Sequence, residues 1–280
     1  MSAGPTTIAE RGRDRRQLAD ALVAMRGRLG LVALLFGLAG LAWWVTAERM
    51  TGMDAGPGTD LGVLGWFTGV WVVMMAAMMF PALAPTVALY AKMTSARGPS
   101  RGLLFAAGYL LIWGAAGVLA YALFRIGRGL FADSLAWRAG GQRFAAAVLF
   151  AAAIYELTPL KDVCLHKCRS PLGFLLGVWR DGPRGALEMG ARHAAWCLGC
   201  CWALMAALFA LGVMSLAWMA LLAALITLEK TFPWRRAATW STTVVLLALA
   251  AGLLAAPHAV PGLVVPAGGH AGAHAMHAMP

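Results

Sequence analysis

Long apolar runs separated by short polar segments organise this chain. Seven runs stand out: Leu29 to Ala47, Leu61 to Phe80, Leu103 to Phe124, Phe144 to Leu157, His193 to Leu211, Met214 to Leu228, and Thr239 to Ala256. A helix needs ~20 residues to cross the hydrocarbon core of a bilayer, and each run approaches that length, the fourth and sixth being short. The pattern predicts an all-α, polytopic transmembrane helical bundle of about seven crossings. Gly212 separates the fifth run from the sixth, and a tight turn is expected there. Without that turn the count is six and the C-terminus changes sides.

Composition excludes a soluble alternative. The chain is 61% hydrophobic and only 12% charged, too little polar surface to wet the exterior of a globular domain. Its 33 glycines suit helices that pack closely in lipid. A net charge of +11 would by itself suggest nucleic acid, but the basic residues sit in the segments between apolar runs. Topology accounts for them better, and no nucleic-acid partner is expected.

With the N-terminus cytoplasmic, the segments Arg11–Arg28, Lys92–Arg101, Lys161–Arg192 and Lys230–Arg236 carry most of the positive charge inside. The discordant segment Arg125–Arg143 contains Leu130, Phe131, Leu135 and Trp137 and is expected to lie along the outer interface. Three regions follow: a basic cytoplasmic arm over 1–28, a membrane domain over 29–257 and a flexible tail over 258–280. No small-residue cleavage site follows a short apolar core near the N-terminus, so the first helix reads as a retained anchor. The location expected is a bacterial inner membrane, with the lipid bilayer itself as the main partner.

All five cysteines fall between Cys164 and Cys201. Cys164 and Cys168 are spaced to share one helix face, as are Cys197, Cys200 and Cys201. Stepping by fours along the second group gives Met189, His193, Cys197, Cys201 and Met205, all with sulfur or imidazole donors. His166 lies between the first pair. Grouped thiolates with imidazole suit Cu(I) or Zn(II), and added thioethers favour Cu(I). A single cysteine on an apolar helix is ordinarily a small packing residue; five in two helix-spaced groups are not.

Met74, Met75, Met78 and Met79 form two i, i+4 pairs just before Pro81, whose missing N–H predicts a kink and a freed carbonyl at Ala77. Such a row can pass Cu(I) across the bilayer, although methionine more often fills helix interfaces. His270, His274, Met276, His277 and Met279 stand among glycine and alanine in the tail, a composition that suits a metal-capturing arm. Two acidic residues lie at membrane depth, Glu156 and Glu229. A Glu156–Lys230 or a Glu229–Lys161 ion pair is expected, with a proton-coupling role for Glu156 the lesser alternative. No P-loop, nucleophile elbow or paired His-x-x-x-His is present, so nothing in the sequence argues for an enzyme.

Three blocks carry a family resemblance: Met74-Met75-Ala76-Ala77-Met78-Met79-Phe80-Pro81, then Leu157 to Arg169 with Cys164-Leu165-His166-Lys167-Cys168, then Cys197-Leu198-Gly199-Cys200-Cys201-Trp202-Ala203-Leu204-Met205. In that order they resemble a bacterial family of predicted metal-binding integral membrane proteins, a domain of unknown function. The resemblance spans roughly Trp66 to Lys230 and implies a metal site without fixing an activity.

The functional expectation is a protein that binds Cu(I) and moves it or hands it to a cuproenzyme or metallochaperone, with zinc the second metal. The rivals are a membrane thiol–disulfide oxidoreductase built on Cys197, Cys200 and Cys201, since Cys-x-x-Cys can be redox-active, and a structural subunit of a membrane complex.

Overall fold

A computed structural model describes residues 29–49, 61–94, 100–131, 140–213 and 215–256. The basic arm over 1–28 and the histidine–methionine tail lie outside them. The described residues form nine helices and no strand. They are α1 (Leu29–Arg49), α2 (Leu64–Met93), α3 (Ser100–Phe131), α4 (Gln142–Glu156), α5 (Pro159–Arg169), α6 (Pro171–Gly177), α7 (Gly182–Leu211), α8 (Leu216–Thr231) and α9 (Arg235–Ala255).

Five of these are long and apolar enough to cross a membrane: α1, α2, α3, α7 and α9. A sixth span is possible if α4 and α5 count as one, because together they pass the same test but are bent by 67°. The seven expected crossings differ from this at two places. Helix α4 ends after 15 residues, and α8 has 16, ~24 Å of helix against a ~30 Å core. The expected turn between the fifth and sixth runs is present: Gly212 adopts φ +118°, a conformation open to glycine, and it ends α7.

Other boundaries move outward. Helix α2 continues through Pro81 and Pro85 to Met93. Helix α3 extends past Arg125 and Arg128, so the first part of the supposed interfacial loop is helix; residues 132–139 are outside the description. The segment Lys161–Arg192, expected as a cytoplasmic connection, is instead α5, α6 and the first three turns of α7. Large apolar side chains such as Leu111, Leu119, Leu123, Val244 and Leu254 face outward, the surface of a protein whose solvent is lipid.

Helix α7 is the hub, packing against α3, α4, α5 and α8. Two glycines bring α3 and α7 into close contact. A Cβ on Gly108 would strike the carbonyl of Leu187, and one on Gly190 would strike the carbonyl of Phe105. Small residues at such crossings let backbones meet where lipid supplies no hydrophobic drive.

The bend between α4 and α5 is written in Leu157-Thr158-Pro159. Proline disfavours helical backbone in the preceding residue, and Thr158 is extended at φ −76°, ψ 147°. Thr158 then caps α5, its hydroxyl accepting from the Lys161 N–H at 3.3 Å, with Pro159 in the first turn. Lys161, Cys164, Leu165 and Cys168 form the buried stripe of α5 at helical spacing.

Candidate metal centre

The buried stripes of α5 and α7 meet at sulfur. All five cysteines are free and buried. The sulfur atoms of Cys168, Cys197 and Cys200 all lie within 4.8 Å of one another. Cys168 Sγ is 3.7 Å from Cys200 Sγ, and Cys201 Sγ is 3.4 Å from Cys200 Sγ. The Cys200 thiol also reaches the Cys197 carbonyl at 3.2 Å. Cys164 stands at the edge of this group, against the α7 backbone: a Cβ on Gly199 would meet its sulfur at 2.7 Å. Tyr155 donates to the Gly199 carbonyl at 2.6 Å and fixes that stretch of α7.

Cys197 is the sulfur reached by polar groups from two further helices. Tyr109, carried by α3 across the glycine crossing, places its hydroxyl 2.9 Å from Cys197 Sγ. Lys230, in the last turn of α8, donates to the same sulfur at 2.9 Å. The Lys230 ammonium also lies 4.0 Å from Met79 Sδ. The methionines at 74, 75, 78 and 79 are all buried, and Met79 brings the row to the edge of the cysteine site.

The remaining sequence candidates divide. Met189, His193, Cys197, Cys201 and Met205 form one buried stripe along α7. The His193 ring sits among Phe105, Tyr109 and Phe174, with centroids 6.0, 6.1 and 4.9 Å away. Its Nδ1 has no hydrogen-bond partner among the described residues. His193 adds no atom to the three-cysteine group. His166 is exposed, away from the buried face that holds Cys164 and Cys168. His270, His274, His277, Met276 and Met279 fall outside the described residues.

Of the two expected ion pairs, Glu229–Lys161 is present at 2.7 Å and Glu156–Lys230 is not. Glu156 instead joins Lys161, making a buried network of one ammonium and two carboxylates. Successive helix residues point ~100° apart, so Glu229 and Lys230 serve different neighbours. Arg169 completes the tie by donating to the carbonyls of Glu229, at 2.7 Å, and Phe232. Both ends of α5 are thus fastened to the end of α8, and Cys168 is held against α7.

Pattern alone missed Lys230 and Tyr109. The one signal for Lys230 was its position beside Glu229 at the end of an apolar run, and it suggested a carboxylate partner rather than a sulfur.

Sulfur donors gathered from two helices, with a cation and a hydroxyl turned toward them, are a set that suits a soft metal, and the long apolar helices around them are consistent with a multi-pass membrane protein. More narrowly, the chain belongs to the PpoB2 family, described as a copper chaperone, whose sequence profile matches residues 68–253. That range takes in the methionine row and both cysteine groups. Comparison with curated proteins and with solved structures finds no match. The donor set fits the family's description: three convergent sulfurs are soft donors of the kind copper takes.

Proposed function

We propose that the protein is a copper chaperone of a bacterial inner membrane that holds Cu(I) at Cys168, Cys197 and Cys200 and delivers it to a cuproenzyme during assembly. The observation that carries this reading is the convergence of three buried, unoxidised cysteines from two helices to within 4.8 Å. Cys201 and Cys164 stand by as further sulfur donors. Met74, Met75, Met78 and Met79 form the approach, weaker thioethers leading to stronger thiolates. The tail, with His270, His274, Met276, His277 and Met279, captures copper on the outer face. In this reading the N-terminus is cytoplasmic and α8 completes a short crossing.

Metal content of the detergent-purified protein, by mass spectrometry after copper or zinc loading, tests the reading. Wild type is expected to hold close to one copper and little zinc, and Cys168→Ser/Cys197→Ser/Cys200→Ser to hold neither. Well-folded wild type without metal would sink it. The 3.7 Å separation of Cys168 and Cys200 favours a second reading, a thiol–disulfide oxidoreductase. Reversible loss of thiol alkylation under oxidising buffer, in protein that binds no copper, would select that one.

A further inference from the structure

The Lys230 ammonium occupies a particular place: within reach of the last sulfur of the α2 row and of the cysteine sulfur that Tyr109 also contacts. It is 4.0 Å from Met79 Sδ and 2.9 Å from Cys197 Sγ. Sulfur–metal bonds run about 2.3 Å, so an ion shared by Met79 and Cys197 would need the space the ammonium holds. We propose that Lys230 is a resident cation that gates the step from Met79 to Cys197, and that Cu(I) enters the cysteine site by exchanging with its ammonium. The inference rests on the copper reading above and adds to it a residue that controls loading.

Charge makes the exchange feasible. Moving a net charge into a low-dielectric interior is costly. One positive charge leaves the sulfur as another arrives, so the local charge is unchanged when the cargo is monovalent. A divalent ion would leave an excess. The step needs no electron transfer: with Cys197 as the thiolate that the ammonium faces, an N–H···S⁻ hydrogen bond breaks, a Cu–S bond forms and no proton leaves this sulfur.

The ammonium has somewhere to go. Lys230 is half-buried in the last turn of α8, one residue before the helix ends. A long lysine stem lets its head reach a polar boundary from such a position. A groove among α1, α2 and α8 is lined by Met78 and Thr231, the neighbours in sequence of Met79 and Lys230.

Two measurements test it, with Ag(I) as a redox-inert substitute for Cu(I). In the first, a water-soluble amine reagent labels purified wild-type protein before and after one equivalent of Ag(I), and mass spectrometry reads Lys230. Protection in metal-free protein and labelling after loading are expected. In the second, stopped-flow transfer of Cu(I) from a chromophoric chelator compares wild type with Lys230→Gln and Lys230→Arg. Removing the charged hydrogen bond is expected to speed loading of Lys230→Gln by about tenfold, with Lys230→Arg no faster than wild type. Metal uptake with Lys230 equally protected throughout, or Lys230→Gln loading at the wild-type rate, would overturn the gate while leaving the copper site intact. Wild type that takes up neither ion removes the copper reading and the gate with it. The labelling arm uses no variant, so a Lys230→Gln that fails to fold does not shield the proposal.

Discussion

Lys161 is 1% exposed yet holds two carboxylates, so its loss has a definite sign. Lys161→Met strands two buried carboxyl groups and is expected to cost about 3–5 kcal/mol, read as a large drop in the detergent melting temperature. Glu156→Gln leaves Lys161 a full partner in Glu229. It should shift the melting temperature far less than Lys161→Met. Equal losses from both would mean the network does not balance as drawn. The sequence put these groups at membrane depth and offered two pairings, Glu229–Lys161 among them, but could not choose between them, because the choice depends on how the last turn of α8 is rotated. Tyr109 was illegible for a related reason: only the crossing of α3 and α7 brings it to Cys197.

At the level of elements, the α3–α7 crossing and the α4–α5 bend carry the site. Gly190→Ala puts a methyl group on the Phe105 carbonyl, so the helices must separate and Tyr109 must draw back from Cys197. The expected result is lower thermal stability together with faster alkylation of Cys197; unchanged alkylation would mean the crossing does not hold the hydroxyl in place. Thr158→Ala removes the cap of α5 and the hydroxyl's hydrogen bond to the Tyr155 carbonyl, and should cost about 1 kcal/mol, seen as a small melting shift with metal content retained. The positions of the helices could be read from the apolar runs, but their ends could not. Arg184, Glu188 and Arg192 suggested a loop, whereas α7 carries them as an exposed face, where Glu188 pairs with Arg180 at 3.2 Å and Arg192 at 2.8 Å. Hydropathy marks what lipid requires, and a helix can run beyond it. The cysteine spacing foretold two buried faces, while the docking of α5 on α7 alone decides that Cys168 rather than Cys164 completes the trio.

For the whole molecule, the two proposed roles of capture and storage can be separated. Deleting residues 268–280 is expected to slow copper loading at low concentration while leaving the amount bound at saturation unchanged. A truncated protein that loads at the full rate would remove the tail from the route. Reporter fusions after Arg101, Arg192 and Pro280 test the orientation, with the first two expected inside and the third outside. The count of crossings depends on α8, and the third fusion reports on it directly.

Chain order gives the tie between α5 and α8 a further meaning during synthesis. The ribosome delivers Cys168, Cys197 and Cys200 before Glu229 and Lys230, so for an interval the thiols exist without the helix end that fastens α5 and without the ammonium beside Cys197. A nascent chain arrested after Leu211 therefore carries every cysteine in an unfinished setting. It should form sulfur cross-links under mild oxidant more readily than the full-length chain. Quality control of this protein thus has a natural checkpoint at the emergence of α8, before which the cysteines are most vulnerable.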